Sequence, residues 1–152
     1  MICLIQRVNE ASVIIDNRAR ASVSNGLLVF VGFETKDSAG DSDAVADLLN
    51  RMAERLLAYR VFADENDRMN LSLMQVEGEL LLVPQFTLAA DTSKGLRPGF
   101  HTAAPPDSAE RLFDGFVDAV KSRYQKVQTG LFGADMQVAL VNNGPVTFQL
   151  QL

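Results

Sequence analysis

The sequence predicts a layered α/β domain and not a doubly wound one, on three observations. Short segments rich in β-branched and other apolar residues fill the chain up to Phe33. The hydrophobic period then lengthens from two to about 3.6 between Val45 and Tyr59. Beyond that the order is strand, helix, strands, without the repeated strand-helix units of a parallel doubly wound sheet.

Four strands open the chain as a β-meander: Ile2 to Val8, Ala11 to Asp16, Ala19 to Ser24, and Leu27 to Phe33. Asp16-Asn17-Arg18 supplies turn chemistry, and Asn25-Gly26 is a hairpin signal. The unbroken apolar run Leu27 to Phe33 predicts a strand covered on both faces. After polar Glu34 to Asp43, Val45, Leu48, Leu49, Met52, Leu56 and Tyr59 share one face of an amphipathic helix. Val61-Phe62 precedes a charged turn, Ala63 to Arg68, and Leu80 to Val83 is a second buried strand running into Pro84-Gln85-Phe86-Thr87. A second helix starts near Pro105-Pro106-Asp107-Ser108, where Pro suits the first turn and Asp or Ser can cap. Its apolar stripe is Leu112, Phe113, Phe116, Val117 and Val120. Met136 to Val141 and Val146 to Leu150 read as two last strands joined by Asn142-Asn143-Gly144-Pro145. No repeat or linker interrupts residues 1–152, so one domain is expected.

Composition narrows the chemistry. The 152 residues are 47% hydrophobic and 22% charged, proportions of a soluble globular domain. No apolar run approaches the ~18 residues of a membrane span, and Met1 to Arg7 lacks the pattern of a signal peptide, so a cytoplasmic protein is expected. A net charge of -5 argues against a protein that coats nucleic acid through many phosphates, and DNA is not an expected partner. A small contact with an RNA end stays open. Lys94 and Arg97 are the one local basic concentration, which by itself reads as a solvated loop.

One Cys and one His leave no intrachain disulfide and too few ligands for a Cys/His zinc site, and no metal is expected. Any Ser-His-Asp or Cys-His mechanism would have to use His101. As a lone His in a loop it reads first as a solvated surface residue, and Cys3, in an apolar run, as a small buried hydrophobe. Thr92-Ser93-Lys94-Gly95 has the wrong order for a P-loop and no GxGxxG occurs, so no nucleotide cofactor is indicated.

Two segments admit more than one reading. Asn142 to Thr147 is a turn by default, yet a cis Gly144-Pro145 bond would aim two carbonyl oxygens nearly the same way and could read a ligand's shape. Pro84 to Leu88 is either a plain strand end or a place where the N–H groups of Gln85, Phe86 and Thr87 face a ligand oxygen.

Taken together, an ordered set of segments resembles the D-aminoacyl-tRNA deacylase family along the whole chain. It comprises Leu4-Ile5-Gln6-Arg7-Val8 with Ala11-Ser12-Val13, Gly26-Leu27-Leu28-Val29, Met69-Asn70-Leu71-Ser72, Gln85-Phe86-Thr87-Leu88, Ala90-Asp91-Thr92 and Lys94-Gly95. Arg97-Pro98, Ala104-Pro105-Pro106, Gln128-Thr129-Gly130, Phe132 to Met136 and Asn143 to Thr147 complete it. The resemblance implies a barrel-like arrangement of mixed sheets with two covering helices. It also implies a homodimer, without cofactor, that cleaves the ester between a D-amino acid and the 3′ adenosine of tRNA. Gly144 and Pro145 of one subunit would enter the partner's site, and Arg7 would hold that segment in place. Gln85, Phe86 and Thr87 would form the floor under the ester, with Met136 among the substrate contacts.

The implied mechanism needs no side-chain nucleophile, since the ribose 2′-OH and a water assist hydrolysis. An alternative makes the Thr87 hydroxyl the nucleophile, but no base neighbours it in sequence. Glycyl-tRNA mischarged on tRNA(Ala) is a further implied substrate. Pro84 departs from the Ser of most members, a feature shared with a related group that removes L-alanine, and Gly99 stands where many have Ser. Two other readings remain: a tRNA-editing deacylase of relaxed chirality, and a non-catalytic module binding tRNA ends or an amino acid.

Overall fold

Residues 1–152 are all described by the computed structural model. Ile2–Ile15 forms one 14-residue strand, β1, where the sequence predicts two. The polar pair Asn9-Glu10 is exposed without turning the chain; it has neither Gly nor Pro to reverse direction. It marks where β1 exchanges neighbours. Residues up to Val8 pair antiparallel with β3 (Gly26–Gly32), and Ala11 to Ile15 pair with β2 (Arg18–Val23). Asp16 and Asn17 link β1 to β2 with φ of 50° and 60°, the positive values a two-residue I′ turn requires.

Asn25-Gly26 is not a hairpin loop, contrary to expectation. β2 and β3 do not pair with each other but follow end to end along the same edge of β1. The glycine answers a different demand: a Cβ at position 26 would lie 1.8 Å from the Glu79 carbonyl oxygen. Here β3 meets its parallel neighbour β6 (Glu79–Pro84), and Glu79 N–H donates to the Asn25 carbonyl at 3.0 Å.

β6 runs parallel to β7 (Val127–Thr129), giving the order β2-β1-β3-β6-β7. On the far edge of β1 lies β8 (Gln137–Gln151). The sheet curls until β2 contacts β6 and β7, a nearly closed barrel. Leu27, Leu28 and Val29 of β3 and Leu80, Leu81 and Leu82 of β6 are fully buried, as their unbroken apolar runs predict. Alternation splits them: Leu27, Val29, Leu80 and Leu82 face the helices, while Leu28 and Leu81 join Val8, Val13 and Val23 inside the curl.

The two expected helices are α1 (Ser42–Ala58) and α2 (Pro106–Lys121), which contact each other over the first of these faces. The Asp41 side chain caps α1 by accepting from Ala44 N–H at 2.9 Å. Leu49, Met52, Leu56 and Leu57 are buried, each contributing roughly 1.5–3 kcal/mol, and Val45 and Leu48 sit half-buried at the rim. No side chain caps α2. Pro105 takes the cap position and Pro106 the first turn, where a missing N–H breaks no bond, while the Ser108 hydroxyl accepts from Arg111. Between α1 and β6, β4 (Arg60–Ala63) and β5 (Met69–Ser72) form a small antiparallel pair around the charged turn. The Asp64 carboxylate accepts from the N–H groups of Arg68 and Asn66, and these bonds hold its pKa below the ordinary value.

The largest departure from expectation is β8, a single 15-residue strand where two were predicted. Its pairing with β1 passes from Gln6↔Thr147 to Val8↔Asn142, so Arg7 alone faces four residues, Asn143 to Val146. Asn142-Asn143-Gly144-Pro145 therefore carries a bulge inside a continuous ladder and does not join two strands. β8 pairs with β1 only, leaving its outer edge free. At the open end of this ladder the buried Met1 ammonium lies 2.6 Å from Asp37 Oδ2 and donates to the Leu152 carbonyl at 3.0 Å. Leu152 N–H returns a bond to the Met1 carbonyl at 3.1 Å.

Candidate active site

At Gln85 the chain leaves β6 and enters a single 3₁₀ turn, Phe86–Ala89. Gln85 N–H donates to the Val31 carbonyl at 2.7 Å, tying the turn to the end of β3, and Leu88 N–H donates to the Gln85 carbonyl at 3.3 Å. The N–H groups of Phe86 and Thr87 precede that first internal bond and have no acceptor within the turn. The site thus offers two main-chain donors where the sequence suggested three, because Gln85 spends its own on the sheet.

Beside the turn opens a cavity of about 630 Å³. Val83, Pro84, Gln85 and Phe86 line one side, the small residues Ala103 and Ala104 ahead of α2 another, and Phe132 to Met136 a third. Leu131 N–H donates to the Met136 sulfur at 3.4 Å, holding that side chain toward the cavity. The Phe86 and Phe100 rings stand 5.2 Å apart at 50°, both exposed at the mouth. Among the lining residues Asp135, exposed at the rim, is the only charged one, and none carries a hydroxyl, thiol, imidazole or amine.

Thr87 lies outside this lining and its hydroxyl accepts from Gln85 Nε2 at 2.5 Å. His101 is elsewhere, its exposed Nε2 3.6 Å from Asp91 Oδ2. Asp91 has a pKa below the ordinary value because its carboxylate accepts from Ser93 N–H, with the His101 charge adding to this. Cys3 is enclosed in the core, and burial pushes its thiol up to about 12. His101 and Cys3 therefore occupy the surface and core positions their sequence contexts suggest.

Arg7, Gly144 and Pro145 form a second group that lines no part of the cavity. Arg7 Nε donates to the Asn143 carbonyl at 3.1 Å and Nη1 to the Val61 carbonyl at 2.5 Å, so the guanidinium bridges the β8 bulge and β4. Asn143 Nδ2 donates to Asn9 Oδ1 at 2.7 Å from the other side. Gly144 has φ +129°, and a Cβ there would lie 2.8 Å from Val146 Cγ2 and 3.2 Å from Arg7 Nη2. The Gly144-Pro145 bond is cis. One chain thus gathers Gln85, Phe86 and Met136 at the cavity, with Thr87 beside it, and holds Arg7, Gly144 and Pro145 apart from them. Sequence reading did not single out Phe100 or the Ala103-Ala104 wall as site residues. The only local signal was the small-residue run ahead of Pro105-Pro106.

Fold and site belong to an ester hydrolase whose cavity is lined by no hydroxyl, thiol, imidazole or amine. The chain belongs to the D-Tyr-tRNA(Tyr) deacylase family, whose profile matches residues 4–151. It is 52% identical over 155 residues to a D-aminoacyl-tRNA deacylase of Hydrogenovibrio crunogenus, with 99% of each chain covered. It is 54% identical over 151 residues to a D-aminoacyl-tRNA deacylase of Methylococcus capsulatus, covering 99% of this chain and 94% of that one. Among solved structures it matches the c-Myc DNA unwinding element binding protein at a TM-score of 0.90 and 34% identity, over 100% of this chain and 99% of that one.

Proposed function

We propose that residues 1–152 act as one domain of a cytoplasmic D-aminoacyl-tRNA deacylase, working as a homodimer on the aminoacylated 3′ end of tRNA. The observation that carries this reading is the cavity lining. An ester carbonyl placed over Phe86 meets main-chain donors, and no hydroxyl, thiol, imidazole or amine lines the cavity to form a covalent intermediate with it. The Phe86 and Thr87 N–H groups stabilise the oxyanion, a contribution of roughly 3–4 kcal/mol per well-placed donor in other enzymes. The ribose 2′-OH next to the ester assists a water in the attack.

The homodimer accounts for the second group of residues. Gly144 and Pro145 are displaced from their own cavity, and β8 leaves a 15-residue edge free with Val141 and Phe148 exposed along it. Such an edge is a liability for a monomer and a natural two-fold interface. Across it the bulge of one subunit enters the cavity of the other, and the Gly144 and Pro145 carbonyls accept from the α-amino group of a D-residue. An L-residue held by the same contacts drives its Cβ into those oxygens, whereas glycine has no Cβ and is hydrolysed too, including glycine mischarged on tRNA(Ala).

Hydrolysis of D-Tyr, D-Asp, Gly, L-Ala and L-Tyr esters of tRNA tests the reading. Both D-esters react at similar rates, glycine follows, and the L-esters resist. Rapid cleavage of the L-Tyr ester, or a strong preference between the D side chains, rejects the main-chain filter. Sedimentation of the active species at 16.6 kDa, the mass of one chain, rejects the shared site.

A further inference from the structure

The Lys94 and Arg97 loop is absorbed neither by the cavity nor by the bulge. Its neck is a two-bond bridge, Asp91 N–H to the Gly99 carbonyl at 2.8 Å and Gly99 N–H to the Asp91 carbonyl at 2.9 Å. The Asp91 side chain stiffens the neck by accepting from Ser93 N–H at 2.9 Å. Both ends of the loop are fixed to the cavity. Ala89 and Ala90 close the 3₁₀ turn that begins at Phe86, Thr102 Oγ1 donates to the Ala89 carbonyl, and Phe100 stacks on Phe86. Beyond the neck every residue from Thr92 to Pro98 is exposed. Lys94 and Arg97 make no hydrogen bond or ion pair with the chain, and Leu96 between them is 104% exposed, more than any other large hydrophobic residue. Three residues reach at most about 11 Å, so Arg97 cannot stand far from the Phe100 wall.

We infer that this flap, Asp91 to Gly99, is a docking surface for the single-stranded RNA next to the terminal adenosine. Lys94 and Arg97 take two backbone phosphates and Leu96 lies against a base or ribose between them. The inference rests on the proposed activity, which puts the last nucleoside in the cavity and obliges the strand to leave across its mouth. Charge favours RNA as the occupant. The chain is net -5, so long-range attraction of a polyanion is absent and contact has to come from local cations free of acidic partners.

The test uses the full chain with Lys94→Ala/Arg97→Ala, and two substrates: D-tyrosyl-tRNA and the D-tyrosyl ester of adenosine, which has no strand to dock. For tRNA, kcat/KM falls about tenfold at low salt, through KM. The slope of log(kcat/KM) against log[salt] becomes shallower by about 1.4, two single-strand phosphates at roughly 0.7 each. The adenosine ester keeps its rate within about twofold. Lys94→Arg/Arg97→Lys, which preserves both charges, restores the wild-type slope. Leu96→Ser raises KM for tRNA and leaves the slope unchanged. Equal losses on the two substrates overturn the inference by making the loop part of the cavity wall. Unchanged tRNA kinetics overturn it by making the loop merely solvated. A wild-type protein inactive on both esters removes the proposed activity and the flap's role together, an outcome separate from the other two.

Discussion

Arg7 grips the Asn143 carbonyl at 3.1 Å at the one point where a single residue of β1 faces four of β8. The same guanidinium is braced on the Val61 carbonyl, so the position of the bulge is set by β4 as much as by its own strand. Removing a hydrogen bond to a charged group costs about 1.5–3 kcal/mol. Arg7→Ala is therefore expected to let the Gly144 segment shift. The ratio of kcat/KM for D- over L-tyrosyl-tRNA should fall tenfold or more, while D-ester hydrolysis itself drops less. A variant with lower Tm and an unchanged ratio would reduce Arg7 to a structural role.

Thr87→Ala and His101→Ala should each keep kcat within about tenfold of wild type, because Thr87 lies outside the cavity lining and His101 pairs with Asp91 at the surface. Single-turnover hydrolysis of D-tyrosyl-tRNA measures this directly. A loss near 10⁴-fold for Thr87→Ala, as when a true nucleophile is removed, would establish covalent catalysis.

Asp37 is 5% exposed and carries the Met1 ammonium at 2.6 Å while accepting from Glu34 N–H at 2.7 Å. Asp37→Ala leaves the buried ammonium with only the more distant Glu34 carboxylate at 3.8 Å and the Leu152 carbonyl, a loss of about 3 kcal/mol. At roughly 2–4 °C per kcal/mol for a chain of this size, Tm should fall by about 10 °C. Calorimetry of the variant checks the figure.

Cys3 makes alkaline stability measurable. Its thiol is raised from an ordinary 9.0 to about 12 by burial, so the folded state binds the proton more tightly than the unfolded one. That contribution is complete below pH 9.0, declines as pH rises toward about 12, and is absent above it. Denaturant melts between pH 8 and 11 should show the decline, and Cys3→Ala should flatten it. Native protein at pH 8 should also resist iodoacetamide until urea exposes the thiol.

Much of the architecture is written in local pattern. Leu27 to Phe33 and Leu80 to Val83 announce strands covered on both faces because no polar residue interrupts them, and both helical stripes sit where the 3.6 period puts them. What stayed hidden depends on partners distant in sequence. Asn9-Glu10 and Asn142 to Pro145 carry turn-like residues, yet β1 and β8 pair straight past them. Gly26 looks like half of a hairpin signal but is required by the Glu79 backbone, over fifty positions on. The candidate site divides the same way. Gln85 to Thr87 stand out as a strand end, whereas the loss of the Gln85 donor to Val31 and the arrival of Phe100 opposite Phe86 depend on how β3 and the flap fold back.

Because β8 pairs with β1 alone, the first strand made is completed by the last. At typical synthesis rates some 10 s separate the two, during which the outer edge of β1 has only solvent for a neighbour. The hairpin of β1 with β2 and β3 can close early, since its contacts are near in sequence, and both helices can settle on it. Pairing across nearly the whole chain has to wait, and contacts of such high order slow folding. A nascent chain stopped before Phe132 would own the floor and aromatic mouth of the cavity, yet lack one wall and the entire β8 bulge. In the proposed homodimer, assembly of two copies would thereby be postponed until β8 is made, and an unfinished subunit would have no bulge with which to occupy a finished one.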